Sequence, residues 1–162
     1  MKYDIDKELS ILKRLKYDKF TNRRRIITNF LMNISVFLVR PVKGVKLKKY
    51  KINGYQNQKI KVYVLRKRKQ QGKKNALLYM HGGSFQLEGT PFHITNVSKL
   101  VLNTGSIAIY VKYRLAPKHR FPVGLEDSYS AYLWAKDNSE MLGIYKDKIS
   151  IGGDSAGGNL AI

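Results

Sequence analysis

The 162-residue chain has the length of one domain, and 43% hydrophobic with 11% aromatic side chains gives it the apolar mass for a real core, which excludes a disordered tail. It has no Cys, which excludes disulfides, thiolate nucleophiles and Cys-type zinc sites, and its three His stand too far apart in sequence for a metal cluster. The formal charge of +20 is uneven, because residues 1–75 hold 23 basic and 4 acidic side chains while 76–162 hold 8 and 7. Oxygen nucleophiles, carboxylates and imidazole remain for any chemistry, with no metal or cofactor expected.

Residues 1–42 read as amphipathic helices. Ile5, Leu9, Leu12 and Leu15 form a first stripe, and Ile27, Phe30, Leu31, Ile34, Phe37 and Leu38 form a second. Thr21 or Asn22 can cap the second helix and Pro41 stops its continuation. The run Ile26 to Val39 is about half the length of a membrane span and is broken by Thr28, Asn29, Asn33 and Ser35, which argues against a transmembrane segment. No secretory signal is recognisable, so a cytoplasmic location is the expectation. Lys13, Arg14, Lys16, Lys19 and Arg23 to Arg25 lie between the stripes. Two readings of this cluster are open: attachment to an anionic lipid or nucleic acid surface, or a solvated face of a Lys-rich protein. The aromatic and basic interleaving of a nucleic-acid motif is missing, so no nucleic acid is expected as partner, and peripheral contact with an anionic membrane is the surviving form of the first reading.

Val45 to Ile52 and Lys59 to Leu65 alternate as two strands with Asn53-Gly54 opening the turn, which predicts a β-hairpin. Arg66 to Lys74 is polar and contains Gly72, and it reads as the boundary between the basic region and the rest. From Ala76 the texture becomes that of a parallel α/β sheet. Strands are predicted at Ala76 to Met80, Ser106 to Val111 and Ile149 to Gly152. Crossover helices are expected near Thr95 to Leu102 and Leu125 to Lys136, the second burying Leu125, Tyr129, Tyr132 and Leu133. Residues 43–162 would then form one α/β domain.

The last strand runs into Gly153-Asp154-Ser155-Ala156-Gly157, a G-x-S-x-G pentapeptide followed by a helix-compatible stretch. Such a strand-to-helix elbow holds Ser155 strained at the strand tip, and Gly153 and Gly157 must be glycine because a Cβ would collide in so tight a bend. The helix begins beneath the Ser, so its first N–H groups favour negative charge there. A second motif, His81-Gly82-Gly83-Ser84, follows the strand at Ala76 to Met80. Its small residues let backbone N–H groups turn towards a substrate oxygen, as an oxyanion hole requires. Either motif alone is an ordinary Gly-rich turn; the pair, on two strand ends, is not.

Three blocks then resemble one family. LLYMHGGSF (77–85), KYRLAPKHRFPVGLEDSYSAYLWA (112–135) and ISIGGDSAGGNLA (149–161) are similar to the hormone-sensitive-lipase-like, alpha/beta hydrolase fold-3 carboxylesterases. The middle block, with Tyr113-Arg114-Leu115-Ala116-Pro117, Phe121-Pro122 and Glu126-Asp127, is the most specific. The resemblance implies the N-terminal part of an α/β-hydrolase sheet and a carboxylic ester as small-molecule substrate. It makes Ser155 the acyl-accepting nucleophile and the N–H groups of Gly83, Ser84 and Ala156 the oxyanion hole, with His81 and Gly82 shaping the loop. The N-terminal helices would form part of a cap. Ser84 replaces the family's usual third Gly, and Lys112 and Lys118 stand where relatives are usually acidic, which questions local salt bridges.

A serine hydrolase of this fold places its acid and His after the nucleophile in chain order, and residues 156–162 contain neither. The expectation is therefore an esterase-type chain that is truncated after its elbow and inactive alone, with a C-terminal half or a homologous chain as its partner. The alternative is a non-catalytic basic module that binds an anionic lipid or nucleic acid surface through residues 1–75.

Overall fold

The computed structural model describes residues 21–162, so the predicted stripe Ile5 to Leu15 and the basic cluster Lys13 to Lys19 lie outside the described residues. Helix α1 (Asn22–Leu38) leads into a five-stranded sheet of β1 (Val45–Asn53), β2 (Lys59–Lys67), β3 (Lys74–Met80), β4 (Ile107–Lys112) and β5 (Ile144–Gly153). Helix α2 (Pro91–Thr104) crosses from β3 to β4, and α3 (Val123–Asp137) with the short α4 (Ser139–Leu142) crosses from β4 to β5; α5 (Ala156–Asn159) follows the last strand. The sheet order is β1-β2-β4-β3-β5. β1, β2 and β4 pair antiparallel in succession, while β3 lies parallel to β4 and β5.

The predicted hairpin, three strands and two crossover helices are all present. Arg66 to Lys74 is not a boundary: it joins β2 to β3, and β2 pairs with β4, so the basic hairpin and the α/β region share one sheet. The hairpin turn opens at Gly54, as expected, but takes five residues, with a single 3-10 turn at Tyr55–Asn57 and positive φ at Gln56 and Asn57. Gly54 itself is required by space, since a Cβ would strike the Asp127 carboxylate and Ile60.

β4 is apolar and buried from Ile107 to Val111 because both its faces are covered there. Ile109 and Val111 point into a core with Val62, Val64, Leu78 and, from α3, Ala131 and Ala135. Ala108 and Tyr110 point to the other face, where Ile94, Val97 and Val101 of α2 and Val36 of α1 pack. Thr90 caps α2, Pro91 occupies its first turn, and Gly105 ends it at φ +71.

The burial expected in the second crossover helix fails at three of its four residues, Tyr132 alone packing partly buried against the core. In α3 the buried residues are Asp127, Ser128, Ala131 and Ala135, while Leu125, Tyr129 and Leu133 are exposed. Small side chains let the helix sit close to the sheet, and the rotation carries Asp127 inwards to its partner Arg114. In α1, which Thr21 caps, the stripe Ile27, Phe30, Leu31, Ile34, Phe37 and Leu38 is 43–68% exposed, and Val36 is the buried residue. The seated side of α1 is instead set by Asn29 and Asn33. Asn29 donates to the Gln86 carbonyl (2.7 Å) and accepts from the Glu88 N–H (3.0 Å), and Asn33 donates to the Glu88 carboxylate (3.0 Å). That carboxylate pairs with Lys112 at 3.2 Å. An apolar stripe laid here would strand these polar groups. Lys112, a residue whose charge questioned local salt bridges, is thus in one.

Candidate active site

Two strand ends meet at the site. β3 runs into the loop from His81 to Thr90, β5 runs into the elbow, and β3 and β5 pair in parallel up to Met80 and Gly153. Ser155 sits at the elbow with φ +49 and ψ −119, a conformation L-residues rarely adopt, and it is exposed. A Cβ on Gly153 would strike the Met80 carbonyl and Gly157, and one on Gly157 would strike the Met80 and His81 carbonyls. Both glycines are therefore fixed by the close passage of β3 beneath the elbow.

The loop is tied to the elbow through Asp154. Its Oδ1 accepts from the Gly82 N–H at 2.9 Å and the Tyr79 hydroxyl at 2.7 Å, and its Oδ2 lies 3.3 Å from His93 Nε2. Burial would raise the pKa of this carboxyl, but the Tyr79 hydroxyl, the Gly82 N–H and His93 together hold it below the ordinary carboxylate range. Burial and then Asp154 push the Tyr79 hydroxyl up, so it remains a donor. Gly83 (φ +132), Ser84 (φ +52) and Phe85 (φ +59) turn the loop, and the Gly83 carbonyl accepts from Gln86 and Leu87. Among the described residues, no acceptor takes the N–H of Gly83, Ser84 or Ala156.

His81 is fully buried under the loop. Its ring stacks on Tyr113 at 4.7 Å and on Tyr110 at 5.7 Å, and its Nδ1 donates to the Gly82 carbonyl at 2.7 Å. Burial pushes its pKa down to about 4, so it is neutral at pH 7. His93 reaches the elbow by way of Asp154, and its Nδ1 accepts from the Thr90 N–H at 2.9 Å. His119 lines a cleft of about 330 Å³ with Phe85, Tyr113, Phe121, Leu125 and Leu160, and burial with Arg114 and Lys118 nearby lowers its pKa. Sequence reasoning placed Asp154 in the elbow without its partners and left His93 unassigned. The spacing Thr90-x-x-His93 was the one available signal, that of a capping box. Among the described residues, no three His, Asp or Glu side chains gather as metal ligands, and no helix is long and apolar enough to cross a membrane.

A sheet of this order, with a strained Ser at one strand end and a glycine loop laid against it, defines an α/β hydrolase. A family model described as the alpha/beta hydrolase fold matches residues 77–162, and the chain belongs to that esterase-like family. It is 38% identical over 85 residues to the carboxylesterase NlhH of Mycobacterium tuberculosis, covering 52% of this chain and 27% of that one. With the arylesterase of Saccharolobus solfataricus it shares 37% identity over 121 residues, 74% of this chain and 38% of that one. The Pyrobaculum calidifontis esterase superposes with a TM-score of 0.79 at 31% identity, over 98% of this chain and 51% of that structure. The matched region thus spans about a quarter to two fifths of these curated relatives and about half of that solved structure.

Proposed function

We propose that the chain carries the nucleophile half of a carboxylic ester hydrolase. In this reading Ser155 attacks the ester carbonyl, and the N–H groups of Gly83, Ser84 and Ala156 bind the oxyanion that forms. The observation that carries it is the Ser155 backbone, exposed and held at positive φ beside N–H groups that no acceptor among the described residues takes. The apolar cleft between Phe85 of the loop and Leu160 after α5 suits the hydrocarbon part of a small or medium neutral ester.

All three His of the sequence are among the described residues, and their partners argue against each as the base. His81 is buried on the Gly82 carbonyl, His93 is committed to Thr90 and Asp154, and His119 faces Arg114 in the cleft. The proposal assigns the base and its acid to polypeptide outside these 162 residues.

The test is nitrophenyl ester hydrolysis by the chain alone and by the chain co-expressed with the C-terminal half of the Pyrobaculum esterase. Alone, the rate should equal that of Ser155→Ala; together, a Ser155-dependent rate should appear. A rate from the chain alone that Ser155→Ala abolishes would overturn the external base. A paired rate that survives Ser155→Ala would overturn the nucleophile.

A further inference from the structure

Gly82 immediately precedes the proposed oxyanion donors, and Asp154 immediately precedes the proposed nucleophile. One hydrogen bond, Gly82 N–H to Asp154 Oδ1 at 2.9 Å, therefore spans 72 positions of sequence and ties the two groups together one residue from each. The approach leaves no room for a side chain, since a Cβ on Gly82 would enter the Asp154 carboxylate.

The second carboxylate oxygen is aimed from the other side. Thr90 N–H can only donate, so His93 Nδ1, 2.9 Å away, carries a lone pair and the ring proton of the neutral imidazole sits on Nε2. That proton faces Asp154 Oδ2 at 3.3 Å. The cap of α2 thus selects the tautomer that donates to the elbow. Tyr79, donating from β3 at 2.7 Å, completes three donors around one carboxylate.

We propose that Asp154 and His93 are positioning residues, a clasp that fixes the oxyanion loop against the elbow and so sets the distance from the Gly83 and Ser84 N–H groups to Ser155. The catalytic meaning of the clasp rests on the reading of Ser155 and the loop given above. Its physical basis is that fixed dipoles stabilise developing charge only when they are held in place beforehand, and a displacement of about 1 Å can cost a hundredfold in rate.

Three variants separate this from simple packing. In Asp154→Asn an amide N–H₂ meets either the His93 Nε2–H or the Gly82 and Tyr79 donors, and a tautomer change to relieve the first clash would break the Thr90 bond. His93→Leu removes both bonds. His93→Gln keeps both, with Oε1 accepting from Thr90 and Nε2 donating to Asp154.

Hydrogen exchange of the 162-residue chain, read by mass spectrometry over residues 82–87 and 90–93, is the primary measurement and needs no enzyme activity. Protected amides should exchange about tenfold faster in Asp154→Asn and His93→Leu, as expected for lost hydrogen bonds to a charged group, and at the wild-type rate in His93→Gln. Wild-type exchange in Asp154→Asn, or His93→Gln as fast as His93→Leu, would overturn the clasp. In the chain paired with the Pyrobaculum C-terminal half, the first two variants should lower kcat about tenfold with KM nearly constant, and His93→Gln should restore kcat. A rise in KM with kcat unchanged would overturn the positioning role. A paired wild type without Ser155-dependent turnover would count against the proposed function, while the exchange data would still decide the clasp.

Discussion

Arg114 grips Asp127 with two parallel hydrogen bonds, Nε to Oδ2 and Nη2 to Oδ1, both 2.8 Å, and the Asp127 side chain is fully buried. The same carboxylate accepts from the backbone N–H of Tyr55 and of Arg114 at 3.0 Å, and Arg114 Nη2 also donates to the Tyr55 carbonyl. The segment after β4, helix α3 and the hairpin turn are thereby joined at one point.

Asp127→Ala should therefore destabilise the chain by about 3–5 kcal/mol, because it leaves a partly buried guanidinium and two backbone N–H groups without their acceptor. Urea unfolding followed by circular dichroism measures this. A loss below about 1 kcal/mol would show that water replaces the carboxylate at no cost.

His81 gives the stability a pH dependence. Its folded pKa of about 4 lies below the ordinary value of 6.5, so between those values the unfolded chain binds more protons than the folded one. Stability from this group is full above about pH 6.5 and falls as pH drops towards 4, by on the order of 3 kcal/mol. Unfolding midpoints across that range, compared between the wild type and His81→Phe, should show a shallower acid slope in the variant. Equal slopes would remove His81 as the source.

Ser155 and Ser84 both hold positive φ, at +49 and +52. Ser155→Gly and Ser84→Gly should each raise stability by about 0.5–1 kcal/mol, since glycine adopts such backbone without steric cost while paying more chain entropy. Thermal unfolding reads the gain directly. A destabilised Ser155→Gly would mean that the elbow is not strained.

Helix α1 presents Ile27, Phe30, Leu31 and Phe37 outwards, close in sequence to Arg23, Arg24 and Arg25. The chain should partition onto phosphatidylserine vesicles at low salt, more weakly near physiological ionic strength, and more weakly still in Phe30→Ser. Vesicle sedimentation checks this. Binding that ignores Phe30→Ser would reduce the surface to a charge effect.

The two glycine motifs and the alternation of apolar runs with helical stretches made the hairpin, the parallel strands and the elbow legible in the sequence, because those signals are local. Gly153 and Gly157 could be read as obligatory before β3 was known to pass beneath them. The faces of α1 and α3 could not. Their large apolar residues suggested one orientation, and two carboxylates, the half-buried Glu88 and the buried Asp127, imposed another.

What the sequence determined by itself was the order of elements, the esterase-like family and the place of Ser155 at a strand end, since each is carried by short motifs whose residues are contiguous, even where several motifs must be read together. The tertiary structure alone decided which polar groups meet. Gly82 and Asp154 are 72 positions apart, and Asn33 and Glu88 are 55 apart. A buried donor or acceptor must find its partner wherever the sheet order brings one, and that distance in sequence leaves no periodicity to read.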